Sequence, residues 1–532
     1  MNASQSPLAG RPLHYGFLLL AAAFLYFDVF VPPATPIYLN VDHLLNLHDA
    51  TRMLDGQMIY RDFFQITPPG TELVYFALFR LFGVRAWIPN ALLVLLGLSL
   101  AWLCVFISRK VLSGPTAYLP CLMFLLVAFH SDLDATHHWH SVLAVTAAMA
   151  LVMEKRSPKR LAGAAALCAL ASFFTLDRGV GALVGLAVFL WWEHRRKLRG
   201  SEALLRSEGL LAGVFSIVTL ALNLYFVGAV GLKRLWWCTV IFGLKYYSTD
   251  SLSNSFQAYT AFMPTVTHWT DLPPLLLWVF IHTLVPLVYL VFIVQCLRRS
   301  EKDPDQPWDR LMLLALMGLF LFAGMARAPS YGRLCKTALP GLILFIWFLS
   351  SPGRLRLLAR QIIWLGAAVM LTRFALHRQT TEWTFFDAPV GRVAFFDPKA
   401  CNKYEWLRSH TRPSELVFDS AGEVYFLLGL RSPAQVQFLT STDYTRPEQA
   451  QDVIENLERQ QVSMVLWNPQ LDPGVRGSQP SDHLGPLRDY LQAHYHQVKV
   501  FEDARILERD DAPAMERTSG DARALERSDV RQ

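Results

Sequence analysis

The sequence predicts an α-helical polytopic membrane protein with about eleven transmembrane helices and a small C-terminal α/β extracytoplasmic domain. Three observations carry this. Of 532 residues, 53% are hydrophobic and only 17% charged, against about 25% charged in an ordinary soluble domain. The charge is also unevenly placed: Thr380 to Gln532 holds 17 basic and 24 acidic residues, while the first 379 residues carry net +13. Apolar runs near the ~20 residues that cross a bilayer recur through that first part, separated by short basic loops. A soluble enzyme, a nucleic-acid binder and a disordered scaffold are excluded as whole-chain readings. The basic isoelectric point near 8.9 belongs to the membrane loops, so nucleic acid is not an expected partner.

The candidate spans are 13–31, 87–107, 115–131, 139–153, 160–175, 179–192, 208–228, 274–297, 309–326, 337–351 and 360–376. The first lacks a small-x-small cleavage site and reads as a retained helix. Alternate loops hold Arg109 and Lys110; Lys155, Arg156, Lys159 and Arg160; Arg195, Arg196, Lys197 and Arg199; Arg298, Arg299 and Lys302; Arg354 and Arg356. Short loops this basic belong in the cytoplasm, which leaves the N-terminus inside and the C-terminal part outside. An integral protein of the bacterial inner membrane is expected, its last domain in the periplasm. The seven cysteines form no CxxC pair or metal-like spacing.

Residues 1–379 form the membrane body and 380–510 the outer α/β domain, with a disordered tail at 511–532. Two outer loops are long, Pro32 to Ala86 and Val230 to Pro273. In the first, Leu44, Leu47, Met53 and Leu54 recur at helical spacing, as expected of a helix lying on the membrane surface. A second such helix is expected from Glu72 to Phe82. In the middle loop, Lys233, Arg234, Trp236, Trp237, Lys245, Tyr246 and Tyr247 read as an interfacial belt. In the C-terminal part, Glu415–Asp419 and Val462–Trp467 read as strands. An amphipathic helix lies between them from Pro447 to Gln461, and a hairpin follows from His496 to Arg509.

The first outer loop runs Asn40-Val-Asp42-His43 through His48-Asp49, Asp55-Gly56 and Tyr60-Arg61-Asp62-Phe63 to Pro68-Pro69-Gly70. It resembles the GT-C superfamily of polytopic membrane glycosyltransferases, in the branch of protein O-mannosyltransferases and aminoarabinose transferases. That branch has an early outer aspartate, a helix, a Gly-x-x-x-Tyr-x-Asp-Phe-like turn and a Pro-Pro pair. Asp42 matches the first acid of the family's Asp-Glu pair, though His43 stands where Glu is commonest. Ile66 and Thr67 replace the charged residues that often precede Pro-Pro. Leu176-Asp177-Arg178-Gly179 resembles the family's Thr-Lys-Gly turn, with Arg178 for lysine. The resemblance implies a polyprenyl-phosphate sugar donor, an outward cavity and a lipid, glycan or protein acceptor. A transporter or flippase for a lipid-linked glycan is the alternative. It should keep its polar groups in broken helices near the midplane, whereas here they concentrate in outer loops.

Sugar transfer from a lipid phosphate needs a carboxylate to take the acceptor's proton and cations to hold the leaving phosphate. Asp42 is the candidate base. Asp49, two helical turns along, is the second. Arg327, Arg333 and Lys336 cluster in an outer loop that should be poor in cations, and with Arg178 they are candidates for the donor phosphate. Tyr60, Asp62, Asp132, Asp134 and His138 are candidates to line the cavity. The run His130-Ser-Asp132-Leu-Asp134-Ala-Thr-His137-His138-Trp-His140 has donors that a divalent metal could use. Its spacing matches no zinc motif, so no cofactor is expected. Asp28 lies near the outer end of its span, where it could face the cavity, and His282 reads as a hydrogen-bonder within the bundle.

Overall fold

The computed structural model describes residues 11–197, 201–250, 254, 263–268, 271–301, 303, 305–326, 328–475 and 482–510. The expected tail 511–532 and Arg327 lie outside the described residues. A helical run stands at each of the eleven expected spans: Arg11–Val29, Trp87–Ser108, Gly114–Phe129, His137–Val152, Pro158–Phe174, Leu176–Arg196, Ser201–Val230, Leu272–Arg299, Trp308–Ala323, Tyr331–Leu349 and Arg354–Thr380. Six of them are long and apolar enough to cross a membrane by themselves. The others are shorter or more charged. His137–Val152, with 16 residues, rises about 24 Å, less than the ~30 Å hydrocarbon layer. It is buried along much of its length, where neighbouring helices rather than lipid cover it. Ser201–Val230 and Arg354–Thr380 are mostly exposed, as lipid-facing outer helices should be.

Close helix crossings depend on particular residues. A Cβ on Gly179 would fall 2.1 Å from the Ser172 Oγ and 2.3 Å from the Cys168 carbonyl. Only glycine lets the Pro158–Phe174 and Leu176–Arg196 helices turn back so tightly. In Tyr331–Leu349, Pro340 interrupts the helical ladder. The Tyr289 hydroxyl fills the gap, donating to the Thr337 carbonyl and accepting from the Gly341 amide at 3.2 Å. The kink is thereby satisfied one turn below Lys336.

The two surface helices are present as His43–Leu54 and Gly70–Phe82. The Pro-Pro-Gly turn enters the second beneath the end of a span: a Cβ on Gly70 would lie 2.6 Å from the Phe173 carbonyl. The described start of the middle loop is more regular than an interfacial belt requires. It continues as helical turns Leu232–Trp236, Trp237–Ile241 and Gly243–Tyr247, burying Leu235, Cys238 and Phe242 against Phe64 and Phe226 of the outer face.

Strands β1 (Phe30–Val31) and β2 (Thr35–Pro36) form a short hairpin at the outer end of the first helix. β3 (Thr384–Ala388) and β4 (Gly391–Phe395) form another, joined to the first outer loop by the Tyr38 amide donating to the Ala394 carbonyl at 2.8 Å. Then come β5 (Val417–Asp419), β6 (Met464–Trp467), β7 (Tyr495–Val500) and β8 (Arg505–Arg509) in one sheet of order β5-β6-β8-β7. β5 and β6 are parallel, and the amphipathic helix Pro447–Arg459 falls between them in sequence. The apolar cluster of the bundle continues through Leu44, Leu47 and Phe79 into Tyr425, Phe426 and Leu466 of this layer. The outer layer is therefore packed onto the surface helices.

Candidate active site

Asp42 begins the surface helix with right-handed helical torsions, φ −53° and ψ −23°, and its side chain makes no capping bond. The orphan amide of His43 goes instead to Asp134, whose Oδ1 accepts it at 3.1 Å. Asp134 comes from the loop before His137–Val152 and is held in turn by the Thr136 hydroxyl at 3.0 Å. Burial would raise the Asp134 carboxyl, but the His43 imidazole, 3.6 Å away, and the charge of Lys336 outweigh it and hold the group below its ordinary value. Asp42 itself is exposed. Even so, the protein around it raises its carboxyl above the usual range, Asp134 adds to this, and Lys336, His43 and Arg333 pull back. Asp42 is thus open to solvent and lies within electrostatic reach of Asp134, Lys336, His43 and Arg333, and the space these groups share is the candidate recess.

The cations stand at the start of Tyr331–Leu349. Lys336 is buried and pairs with Asp132 at 2.8 Å. Burial pushes Asp132 up to about 6, against the pull of Lys336. Arg333, one helical turn earlier, donates to Asn254 Oδ1 at 2.9 Å and to the Tyr247 hydroxyl at 3.2 Å. Arg178 donates to the His138 carbonyl at 2.8 Å and the Ser141 hydroxyl at 3.1 Å, and among the described residues its Nε has no partner.

Several sequence expectations need correction. Asp49 does not share the recess. It is fully buried, its Oδ2 accepting from Gln65 at 3.3 Å and from Gln437 of the outer layer. Burial and the neighbouring Glu72 push its carboxyl well above the ordinary range, and its contacts are those of a packing group. Tyr60 is likewise buried, not cavity-lining. It is held at φ +69° by its own hydroxyl bonding the Thr67 carbonyl at 2.6 Å and by Arg234 bonding its carbonyl at 2.9 Å. Asp62 closes the same turn on the Met58 amide at 2.7 Å and on Arg61. The histidine-rich run does not converge as a ligand set. His130 bonds Asp28 at 2.9 Å, and His140 bonds the Thr136 carbonyl at 2.8 Å. His138 is half-buried with its ring 4.0 Å from that of His137. Among the described residues, no group of three or more His, Cys, Asp or Glu is placed to hold a metal. Asp28 faces His130 and Arg378 instead of the recess. His282 contacts the Trp278 carbonyl at 2.9 Å, within its own helix.

A strap from Ala434 to Arg446, in the outer layer, had no signal in the sequence. Its Ala434 carbonyl accepts from Arg52 at 3.0 Å and its Gln435 carbonyl from the Phe64 amide at 2.9 Å. Gln437 reaches Asp49, and Thr442 donates to Asp250 of the middle loop. Tyr444 stacks on Phe438 and meets Phe242 and Tyr247 edge-on, at 5.4 and 6.0 Å. Arg446 covers the Tyr246 ring at 4.3 Å. The strap thus ties the first long loop to the described part of the middle one.

No family model and no curated protein matches the sequence. The fold does match known structures. The crystal structure of ArnT from Cupriavidus metallidurans bound to undecaprenyl phosphate aligns with TM-score 0.54 and 11% identity, covering 93% of this chain and 98% of that one. The same protein in the apo state aligns with TM-score 0.57 and 13% identity over 94% and 98%. At this identity the match speaks for architecture and not for individual side chains. From the first span to the outer layer, the chain has the fold of ArnT, the GT-C fold that its first outer loop resembles.

Proposed function

We propose that this protein is a membrane glycosyltransferase that moves a monosaccharide from a polyprenyl-phosphate carrier to a lipid, glycan or protein acceptor at the outer face. The observation that carries the reading is the grouping of charges: an accessible carboxylate, Asp42, lies within electrostatic reach of Lys336 and Arg333 at the start of Tyr331–Leu349. The fold is one that ArnT shows with undecaprenyl phosphate bound. In-line displacement at the anomeric carbon needs this separation of roles. The base takes the proton of the incoming hydroxyl while cations neutralise the phosphate leaving on the other side. The raised carboxyl of Asp42 makes it a better base than an ordinary aspartate, and the helix N-terminus beneath Arg333 and Lys336 favours an anion there.

The cellular setting follows from the same reading: an inner membrane of a bacterium, with the recess and the sheet of β5 to β8 outside. Purified protein incubated with a panel of polyprenyl-phosphate sugars should consume at least one and release the carrier phosphate. Consumption of none would count against the reading. A reporter at Gly474 should face outside and one at Lys155 the cytoplasm. Both on one side would overturn the orientation.

A further inference from the structure

The strap brings a side chain of the outer layer to the recess, and its position has a consequence for the donor. We propose that Tyr444 is a substrate-contacting residue whose hydroxyl hydrogen-bonds a hydroxyl of the sugar on the polyprenyl-phosphate donor. This rests on the glycosyl-transfer reading above.

The geometry supports it from two ends. In an in-line displacement the sugar must lie between the leaving phosphate and the base. Arg333 marks the phosphate side, and its guanidinium donates to the Tyr247 hydroxyl at 3.2 Å. The Tyr247 ring lies 6.0 Å from that of Tyr444, edge-on at 70°. On the other side, Asp250 and Asp42 lie near enough for their charges to act on the Tyr444 hydroxyl. Tyr444 therefore stands one ring away from the tyrosine that Arg333 holds, within electrostatic reach of Asp42.

Its ring is not free to turn away, because Phe438 stacks on it at 5.3 Å and Phe242 abuts it at 90°. The residue is 6% exposed. Among the described residues, its hydroxyl has no hydrogen-bond partner. A fixed hydroxyl that no protein group takes up is open to a ligand that comes to it in place of water. A sugar hydroxyl can both donate to it and accept from it. The outer layer thus contributes to recognition of the sugar and does more than cover the outer face.

The test uses the full-length protein and the variant Tyr444→Phe, which keeps the ring contacts and removes only the hydroxyl. The probes are undecaprenyl phosphate alone and undecaprenyl phosphate carrying mannose, glucose or aminoarabinose, with binding measured for each. The wild type should bind one sugar-bearing lipid more tightly than the bare lipid. Tyr444→Phe should weaken that lipid roughly threefold to tenfold and leave the bare lipid unchanged. Arg446→Ala, which loosens the strap over Tyr246 without touching the recess, should give a smaller loss with the same sugar selectivity. It serves in place of Tyr444→Phe if that variant does not fold. If the wild type gains nothing from any sugar, the sugar subsite and the glycosyl-transfer reading fall together. If the wild type gains and neither variant loses that gain selectively, only the role of Tyr444 falls.

Discussion

Asp134 caps the helix that Asp42 begins. Its Oδ1 accepts the His43 amide at 3.1 Å, one of the first-turn amides that have no carbonyl partner within the helix. Capping from a distant loop leaves the Asp42 carboxylate free for a partner in the recess. Asp134→Ala should therefore destabilise the protein by about 1–2 kcal/mol. It should also speed hydrogen exchange at the amides of His43 to Leu45. Asp134→Asn keeps an acceptor oxygen and should lose less. Unchanged exchange in the alanine variant would remove the cap from the description.

Electrostatics around Asp42 fixes the sign of a pH effect. Protonated Asp42 cannot accept a proton, so turnover should rise with pH through a value above the ordinary carboxylate range. Lys336 pulls that value down. Lys336→Gln should then move the acid limb to higher pH, apart from any loss of donor affinity. Asp132, pushed up to about 6 beside the same lysine, should titrate higher as well and broaden the limb. An acid limb that moves to lower pH would contradict the arrangement.

Asp49 and Glu72 form a buried pair between the surface helices and the strap. Glu72 is pushed up to about 7 by burial, against bonds from Asn46 at 2.7 Å and Gln65 at 3.0 Å. Both carboxyls titrate higher folded than unfolded. Their contribution to stability is therefore full below the unfolded values and is lost as pH rises through the folded ones. Glu72→Gln removes that loss. The variant should melt higher than the wild type at pH 8, by on the order of 3 kcal/mol of stability, with the difference closing toward pH 4. Asp49→Asn should retain turnover within about twofold, since its side chain is buried and taken up by Gln65 and Gln437.

Much of this arrangement is legible along the chain because its signals are local. Eleven apolar runs, the surface helix through Leu44 and Leu47, and the basic loops follow from composition and periodicity over a few turns. Asp42 stands out for the same reason, at the start of a helix in a polar loop. Asp49 misled because i to i+7 spacing places two residues nearly on one face but does not say what covers that face; here Gln437, 388 residues away, covers it. Tyr60 and Asp62 carry polar groups that the turn consumes on itself. The partnership of Asp42 with Asp134, Lys336 and Arg333 joins three separate segments. No window of sequence holds it. The strap is likewise a tertiary fact: Tyr444 and Arg446 find their rings in a loop about 200 residues earlier.

The most direct measurement is transfer by Asp42→Asn, with the polyprenyl-phosphate sugar that the wild type uses. Asparagine keeps the shape and an acceptor oxygen but cannot take the acceptor's proton. Positioned proton transfer contributes ~10²–10⁴ in rate, so turnover should fall by about that factor. Folding and donor binding should stay as in the wild type, because the side chain is exposed and makes no capping bond. Asp49→Asn, measured alongside, should remain active. Near-normal turnover in Asp42→Asn would contradict the assignment of the base, whatever Asp49→Asn does.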